Sequence, residues 1–339
     1  MIPQFAIFAN AIQRDMEITE SNCVTVKFVD FWPTFDVEHN KFVDALRSKY
    51  RVTVLPTDGD EVPDLLFYSR CGNGRHLSYD CIRIYFTGEN DCPDFNECDY
   101  ALSFYPLTLG DRHLRYPLYM LYEYDRLGTP ETVSDSDALG RGFCSLLMRN
   151  ATNCDPRRLE IIDCMERYRP LAYGGPFRNN AGGCVDEKIP FISRFKFNLA
   201  LENSLVEGYV TEKILEPLVA STVPIYWGDD TVKKDFNPEA FINSGDYDTP
   251  ESLTEAVRQI DNDPGAYLRM LRAPKLIKGH APDFDGMLAD FLCHIAATRR
   301  KYLVRYGEQN VLHRRARTVS MIRKSPLLMR VLGRLGNAR

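Results

Sequence analysis

Residues 195–228, FKFNLALENSLVEGYVTEKILEPLVASTVPIYWG, limit the fold more than any other part of this 339-residue chain. Phe195, Phe197, Leu199 and Leu201 alternate with Lys196, Asn198, Ala200 and Glu202, the period of a strand with a buried face. After a loop containing Gly208, Thr211 is placed to cap a helix, with Ile214, Leu215, Leu218 and Val219 as its apolar stripe. Residues 223–227, VPIYW, then return as a second strand. Strand, helix, strand is the unit of a parallel sheet, and such sheets take ligands beyond the carboxyl ends of their strands.

Residues 202–213 should therefore face a ligand. The N–H groups at a helix start carry about half a positive charge, and Lys213 adds a full one, so the chemistry suits an anion. Asn203 offers an amide and Tyr209 a ring with a hydroxyl. Taken alone, Thr211-Glu212-Lys213 is an ordinary cap with a solvated charge pair. Pro217 removes one backbone hydrogen bond further along and predicts a kink.

The chain is long enough for two cores. Strand-like runs at 24–28, 52–55, 65–68, 82–86 and 100–104, with a helix over 39–49, predict an α/β sheet in a first domain, 1–125. Residues 126–140 are turn-rich and read as a linker. A second domain, 141–298, opens on the apolar run 143–148 and a basic helix containing Arg157, Arg158, Ile161, Ile162 and Met165. From 299 to 339 the chain holds 12 Lys or Arg against one acid, Glu308, while the whole carries −5.

The ten cysteines have irregular spacing with no C-x-x-C, which favours reduced thiols over a disulfide framework. No run approaches the ~20 apolar residues of a membrane span, and the first residues lack the basic flank of a signal peptide.

LENSLVEGYVTEK at 201–213 followed by VPIYWG resembles the donor-site signature of the α-1,3/4-fucosyltransferases, glycosyltransferase family ten, bacterial type. FTGEN at 86–90, FNECDYALSF at 95–104, DRHLRYPLYM at 111–120 and DFNPEAFIN at 235–243 are similar to the same family in the same order. The resemblance implies a GT-B-like α/β fold, two Rossmann-like domains facing a cleft. The first would bind the acceptor and the second GDP-fucose.

It also implies roles. Glu89, on the loop after the 82–86 strand, would be the general base, where the tripeptide alone reads as a turn. Arg158, Asn203, Tyr209, Thr211, Glu212 and Lys213 would bind GDP-fucose, with Arg157 as the other candidate for the arginine. The reaction would be inverting α-1,3 transfer to the GlcNAc hydroxyl of N-acetyllactosamine. α-1,4 or dual linkage, another nucleotide sugar, and a binding module without catalysis are the alternatives.

Asp261-Asn262-Asp263 spells an Asp-x-Asp motif, yet it follows a helical stretch and precedes Pro264-Gly265, so a helix-ending turn is expected and no metal or other cofactor. In the tail, Ser325-Pro326 starts a helix in which Leu328, Val331, Leu332 and Leu335 repeat at helical spacing beside Arg323, Lys324, Arg330 and Arg334. That composition suits an anionic membrane surface rather than nucleic acid. The expected place is cytoplasmic, on the inner face of the plasma membrane.

Overall fold

The structure, a computed structural model, describes residues 22–302, except 123, 129–132, 150, 153 and 278–282, together with residue 325. It contains two parallel sheets. The first holds β1 (Cys23–Val29), β2 (Arg51–Val54), β3 (Leu65–Tyr68), β4 (Ile82–Phe86), β5 (Tyr100–Ser103) and β6 (His113–Arg115), in the order β2-β1-β3-β4-β5-β6. The second holds β7 (Gly142–Leu146), β8 (Leu171–Tyr173), β9 (Phe195–Leu201), β10 (Val223–Trp227) and β11 (Ile242–Asn243), in the order β11-β10-β9-β7-β8. β3, β4, β5 and β10 are buried along their whole length, as strands covered on both faces must be. This is the expected α/β architecture of two parallel-sheet units.

Helices cover the sheets: α1 (Lys41–Arg47) on the first, then α2 (Asp135–Leu139), α3 (Pro156–Tyr168), α4 (Lys188–Ile192), α5 (Glu212–Val219), α6 (Val232–Asp235), α7 (Pro250–Asp261), α8 (Pro264–Arg272) and α9 (Phe284–Thr298). α5 runs on through the buried Pro217 to Val219, and Thr222 N then donates to Pro217 O. Asp261-Asn262-Asp263 is the joint between α7 and α8. Asp261 is buried under Lys196, Arg169 and Tyr168, Asn262 ends α7, and Asp263 caps α8 by accepting from Ala266 N.

α9, within the 141–298 stretch read as the second domain, packs on α1, where Leu288, Leu292 and Ile295 share a core with Phe42, Val43 and Leu46. Tyr100 Oη then donates to Arg300 O, and Tyr302 Oη to Asp111, so the chain ends its described course on the first sheet. Its apolar stripe is legible locally, but the sheet that stripe covers is a tertiary fact. The 126–140 segment is likewise shared: Leu127 enters the first core, while α2 sends Ala138 into the second.

The carboxyl-end loops of the two sheets meet. Arg115, closing β6, makes a two-pronged ion pair with Asp235 at 3.2 and 2.6 Å. Phe104, just past β5, sets its ring edge-to-face with Tyr209 at 5.0 Å. Gly208 has φ +82°, and a Cβ there would lie 2.5 Å from Phe104 O, so both the backbone and the approach require glycine. Among the described residues no helix is long and apolar enough to cross a membrane. The tail stripe at 328–335 lies outside the described residues.

Candidate active site

The densest chemistry sits where β9 ends and α5 begins. β9 runs apolar to Leu201, and the next residue, Glu202, is fully buried. Its backbone extends the sheet by donating to Trp227 O at 2.8 Å. Its carboxylate turns under the start of α5, accepting from Thr211 N and Thr211 Oγ1, both at 2.7 Å. Thr211 is the N-cap, as expected, with extended backbone and its hydroxyl accepting from Lys213 N at 3.5 Å.

Lys213 folds back over that cap. Its ammonium lies 2.9 Å from Thr211 Oγ1, 3.2 Å from Glu202 Oε2 and 3.5 Å from Glu212 Oε1. Burial opposes its charge, but Glu202 and Glu212 outweigh burial and hold its pKa above that of a free lysine. Burial raises the Glu202 pKa even against Lys213. Burial also pushes on Glu212, yet Lys213 and Lys188 leave its carboxyl below the usual range.

Arg158 is positioned by α3. Asp155 caps that helix through Arg157 N, and Pro156 occupies the first turn. Consecutive residues then point in different directions. Arg157 faces out, to Glu160 at 3.2 Å and Asp248 O at 3.0 Å. Arg158 is 4% exposed, and Nη1 donates to Asn203 Oδ1 at 3.2 Å. Its Nε is buried with no hydrogen-bond partner among the described residues. Burial lowers its pKa, against Cys154 and Glu202. A buried guanidinium with an unmet N–H suits an anion that forms two bonds at once.

Tyr209 is buried between the two units, its pKa raised chiefly by desolvation; Lys213 acts against that shift, and Glu202, Glu89 and Glu212 add to it. That coupling connects the second-unit set to Glu89 on the first. Glu89 is exposed on the loop after β4. Its backbone N donates to Thr87 Oγ1 at 3.1 Å, and Asp91 N donates to Glu89 O at 2.8 Å. Its carboxylate makes no hydrogen bond or ion pair with a described residue. An open carboxylate on a pinned loop, opposite buried cations, can accept a proton while an anion is held across from it.

Thus Arg158, Asn203, Thr211, Glu212 and Lys213 gather at one sheet edge, Tyr209 stands at the seam, and Glu89, on the other unit, lies near enough to Tyr209 to raise its pKa. Two residues were not singled out from sequence. Glu202 reads as a polar strand end. Asp229 reads as turn, yet it accepts from Gly208 N at 2.9 Å and Thr231 N at 3.0 Å and so fixes the loop before α5. The described residues contain no group of three or more His, Cys, Asp or Glu arranged to hold a metal ion.

Residues 26–122 match the family described as the N-terminal domain of α-(1,3)-fucosyltransferase FucT, and residues 144–303 the C-terminal part of glycosyltransferase family 10 (fucosyltransferase). The chain is 36% identical to the α-(1,3)-fucosyltransferase FucT of Helicobacter pylori over 67% of its own length and 54% of that protein's. It is 38% identical to an α-(1,4)-fucosyltransferase of Arabidopsis thaliana over 36% of this chain and 35% of the other. It thus spans about half or less of the curated relatives it matches. In three dimensions it is similar to an α1,3-fucosyltransferase crystallised with GDP-fucose, at TM-score 0.71 and 26% identity over 90% of this chain and 99% of that one. A crystal form with GDP gives 0.70 and 27% over 88% and 97%.

Proposed function

This chain belongs to glycosyltransferase family 10, and on that premise we propose that it transfers L-fucose from GDP-β-L-fucose to the GlcNAc hydroxyl of an N-acetyllactosamine-type acceptor, inverting to an α-1,3 link. What supports this reading is the pairing of an exposed Glu89 on the first unit with the buried Arg158–Lys213 set on the second, all three of which act on Tyr209 at the seam. A binding module needs one of these halves; a transferase needs both.

In this reading Arg158 and the start of α5 hold the diphosphate, Lys213 supplies charge to it, and Glu212 and Asn203 meet hydroxyls of the nucleotide sugar. Glu89 takes the proton of the acceptor hydroxyl as its oxygen attacks C1 from the face opposite GDP. The C1–O bond breaks, and its electron pair leaves with the diphosphate. Donors aimed at oxygens that gain charge are worth about 10²–10³ in rate each, a general base 10²–10⁴. The cations and helix terminus do here what a divalent ion does elsewhere, so activity without metal is expected. The similarity to an α-(1,4)-fucosyltransferase keeps that linkage as the second reading.

The test is mass spectrometry of N-acetyllactosamine incubated with the protein, GDP-fucose and EDTA, followed by NMR of the linkage. A fucosylated product with an α-1,3 link is expected. Strict dependence on Mn²⁺ overturns the metal-free account, and an α-1,4 link overturns the regiochemistry. For the basic tail we propose an anionic membrane surface at the cytoplasmic face. Full-length protein should co-sediment with anionic liposomes better than a chain ending at Tyr306, and equal binding removes that idea.

A further inference from the structure

An ammonium has three N–H donors, and Lys213 has three acceptors within reach: Thr211 Oγ1, Glu202 Oε2 and Glu212 Oε1. At rest, then, the cation at the anion site has no donor to spare. Arg158 differs, keeping one buried N–H unmet. Charge tells the same story. With Glu202 and Glu212 ionised, Lys213 and Arg158 are cancelled, so the set is neutral before a diphosphate arrives.

We propose that Glu202 is the counter-charge that holds Lys213 in place, that a nucleotide diphosphate takes the ammonium from it, and that Glu202 takes up a proton as this happens. The inference rests on the donor-site reading above. Glu202 is a positioning residue in this scheme, because it is fully buried beneath the cap and acts through Lys213.

The geometry makes Glu202 the acceptor of that proton. Among the described residues its ion-pair partner is Lys213 alone; the ionisable groups that act on it or feel it are Glu212 and Lys213 on α5, Tyr209 on the preceding loop, Tyr226 on β10 and Arg158 on α3, with Asp229 beyond Tyr226. Gly228 shuts the site from behind, where a Cβ would stand 2.8 Å from Glu202 Cγ. A carboxylate walled off from water needs either its ammonium or a proton. Burial already works in the same direction, since it raises the Glu202 pKa with Lys213 still in contact. Glu212 keeps Lys188 as a second cationic influence when Lys213 moves. The proton changes the set from neutral to +1 in the state that must hold a dianion.

The experiment is calorimetric titration of GDP-fucose into the full chain, without acceptor, at pH 7 in buffers of different ionisation enthalpy. The donor's diphosphate has no group titrating near that pH, so buffer dependence reports the protein's protons. We expect uptake of roughly half a proton or more per donor bound. Glu202→Gln should bind GDP-fucose with that uptake gone. Lys213→Met, which leaves Glu202 protonated from the start, should also lose it, and it serves if the first variant does not fold. Binding with no buffer dependence overturns the proposal, as does uptake that survives in Glu202→Gln and vanishes in Glu212→Gln. Absence of donor binding removes the donor-site reading itself, and this inference with it.

Discussion

The two sheet edges that meet in this protein are built on opposite plans. At the edge of the second sheet, the charged side chains around the α5 cap are tied to their neighbours: Glu202 to Thr211 and Lys213, Lys213 to Glu212, Arg158 to Asn203. At the edge of the first, the Glu89 carboxylate is exposed and bonds to no described residue, on a loop pinned through Thr87, Asn90 and Asp91. On the proposed function, the difference follows from what each edge would hold. A diphosphate is small and highly charged, so preformed cations repay their burial. A hydroxyl to be deprotonated needs one accessible carboxylate and room for a sugar.

The comparison breaks most sharply at Glu89. Glu89→Gln should lower transfer by about 10²–10⁴-fold, while GDP binding, thermal stability and donor Kd stay as they were. Retained turnover removes the base from this residue and leaves the first edge as a mere binding surface. Lys213→Met should act the other way. It is expected to cost on the order of 10²–10³ in transfer and to weaken GDP as well, because the second edge binds the group it activates. If Lys213→Met left GDP affinity unchanged, the wiring of that edge would serve the fold alone.

How far each edge was legible in the sequence follows the same division. Thr211, Lys213 and the strand before them were readable because a cap, a helix start and an alternating strand are local chemistry. Arg158 was harder, since spacing alone leaves Arg157 beside it; on a helix neighbours diverge by roughly 100°, and only the packed structure shows which one turns inward. Glu202 was hidden in plain view. A glutamate after a strand is usually solvated, and this one is buried because Gly228, just past β10, leaves space and α5 folds back over it. β6 and β8 escaped because each has three residues, too few to show a period. The return of α9 to the first sheet depends on contacts between residues some 240 positions apart, such as Lys41 with Asp285.

The two units should also part company in acid. His113, on β6, is buried with Nε2 2.8 Å from Ser103 Oγ and Nδ1 3.2 Å from Leu107 O, and burial pulls its pKa down to about 4. An unfolded histidine titrates near 6.5, so between those values the unfolded chain binds the extra proton. Stability from this group is then complete above about 6.5 and is lost as pH falls toward 4. From pH 7 to pH 5 the loss is about 2 kcal/mol. Unfolding of wild type and His113→Asn at both pH values should show a smaller acid loss in the variant. Parallel curves would mean that His113 is not what makes the first unit sensitive to acid.

The finest distinction lies within the first edge itself. Asp30 follows β1 with φ +60°, and its carboxylate accepts from His76 N at 3.1 Å and lies 2.8 Å from His76 Nδ1. His76 stacks on Tyr68 at 3.8 Å and reaches Glu97 at 3.3 Å with its other nitrogen. Its hydrogen bonds hold the pKa of Asp30 below the carboxylate norm, although burial pushes upward. This buried link ties the loop after β3 to the end of β1, on the edge that carries Glu89. If the acceptor sits on that edge, His76→Gln should loosen its seat and not the donor's. A hydrogen bond to an ionised carboxylate is worth about 1.5–3 kcal/mol, so the acceptor KM should rise roughly tenfold or more with the GDP-fucose KM unchanged. An equal rise in both would show that the first edge, like the second, is wired to the nucleotide, and the contrast between the two would dissolve.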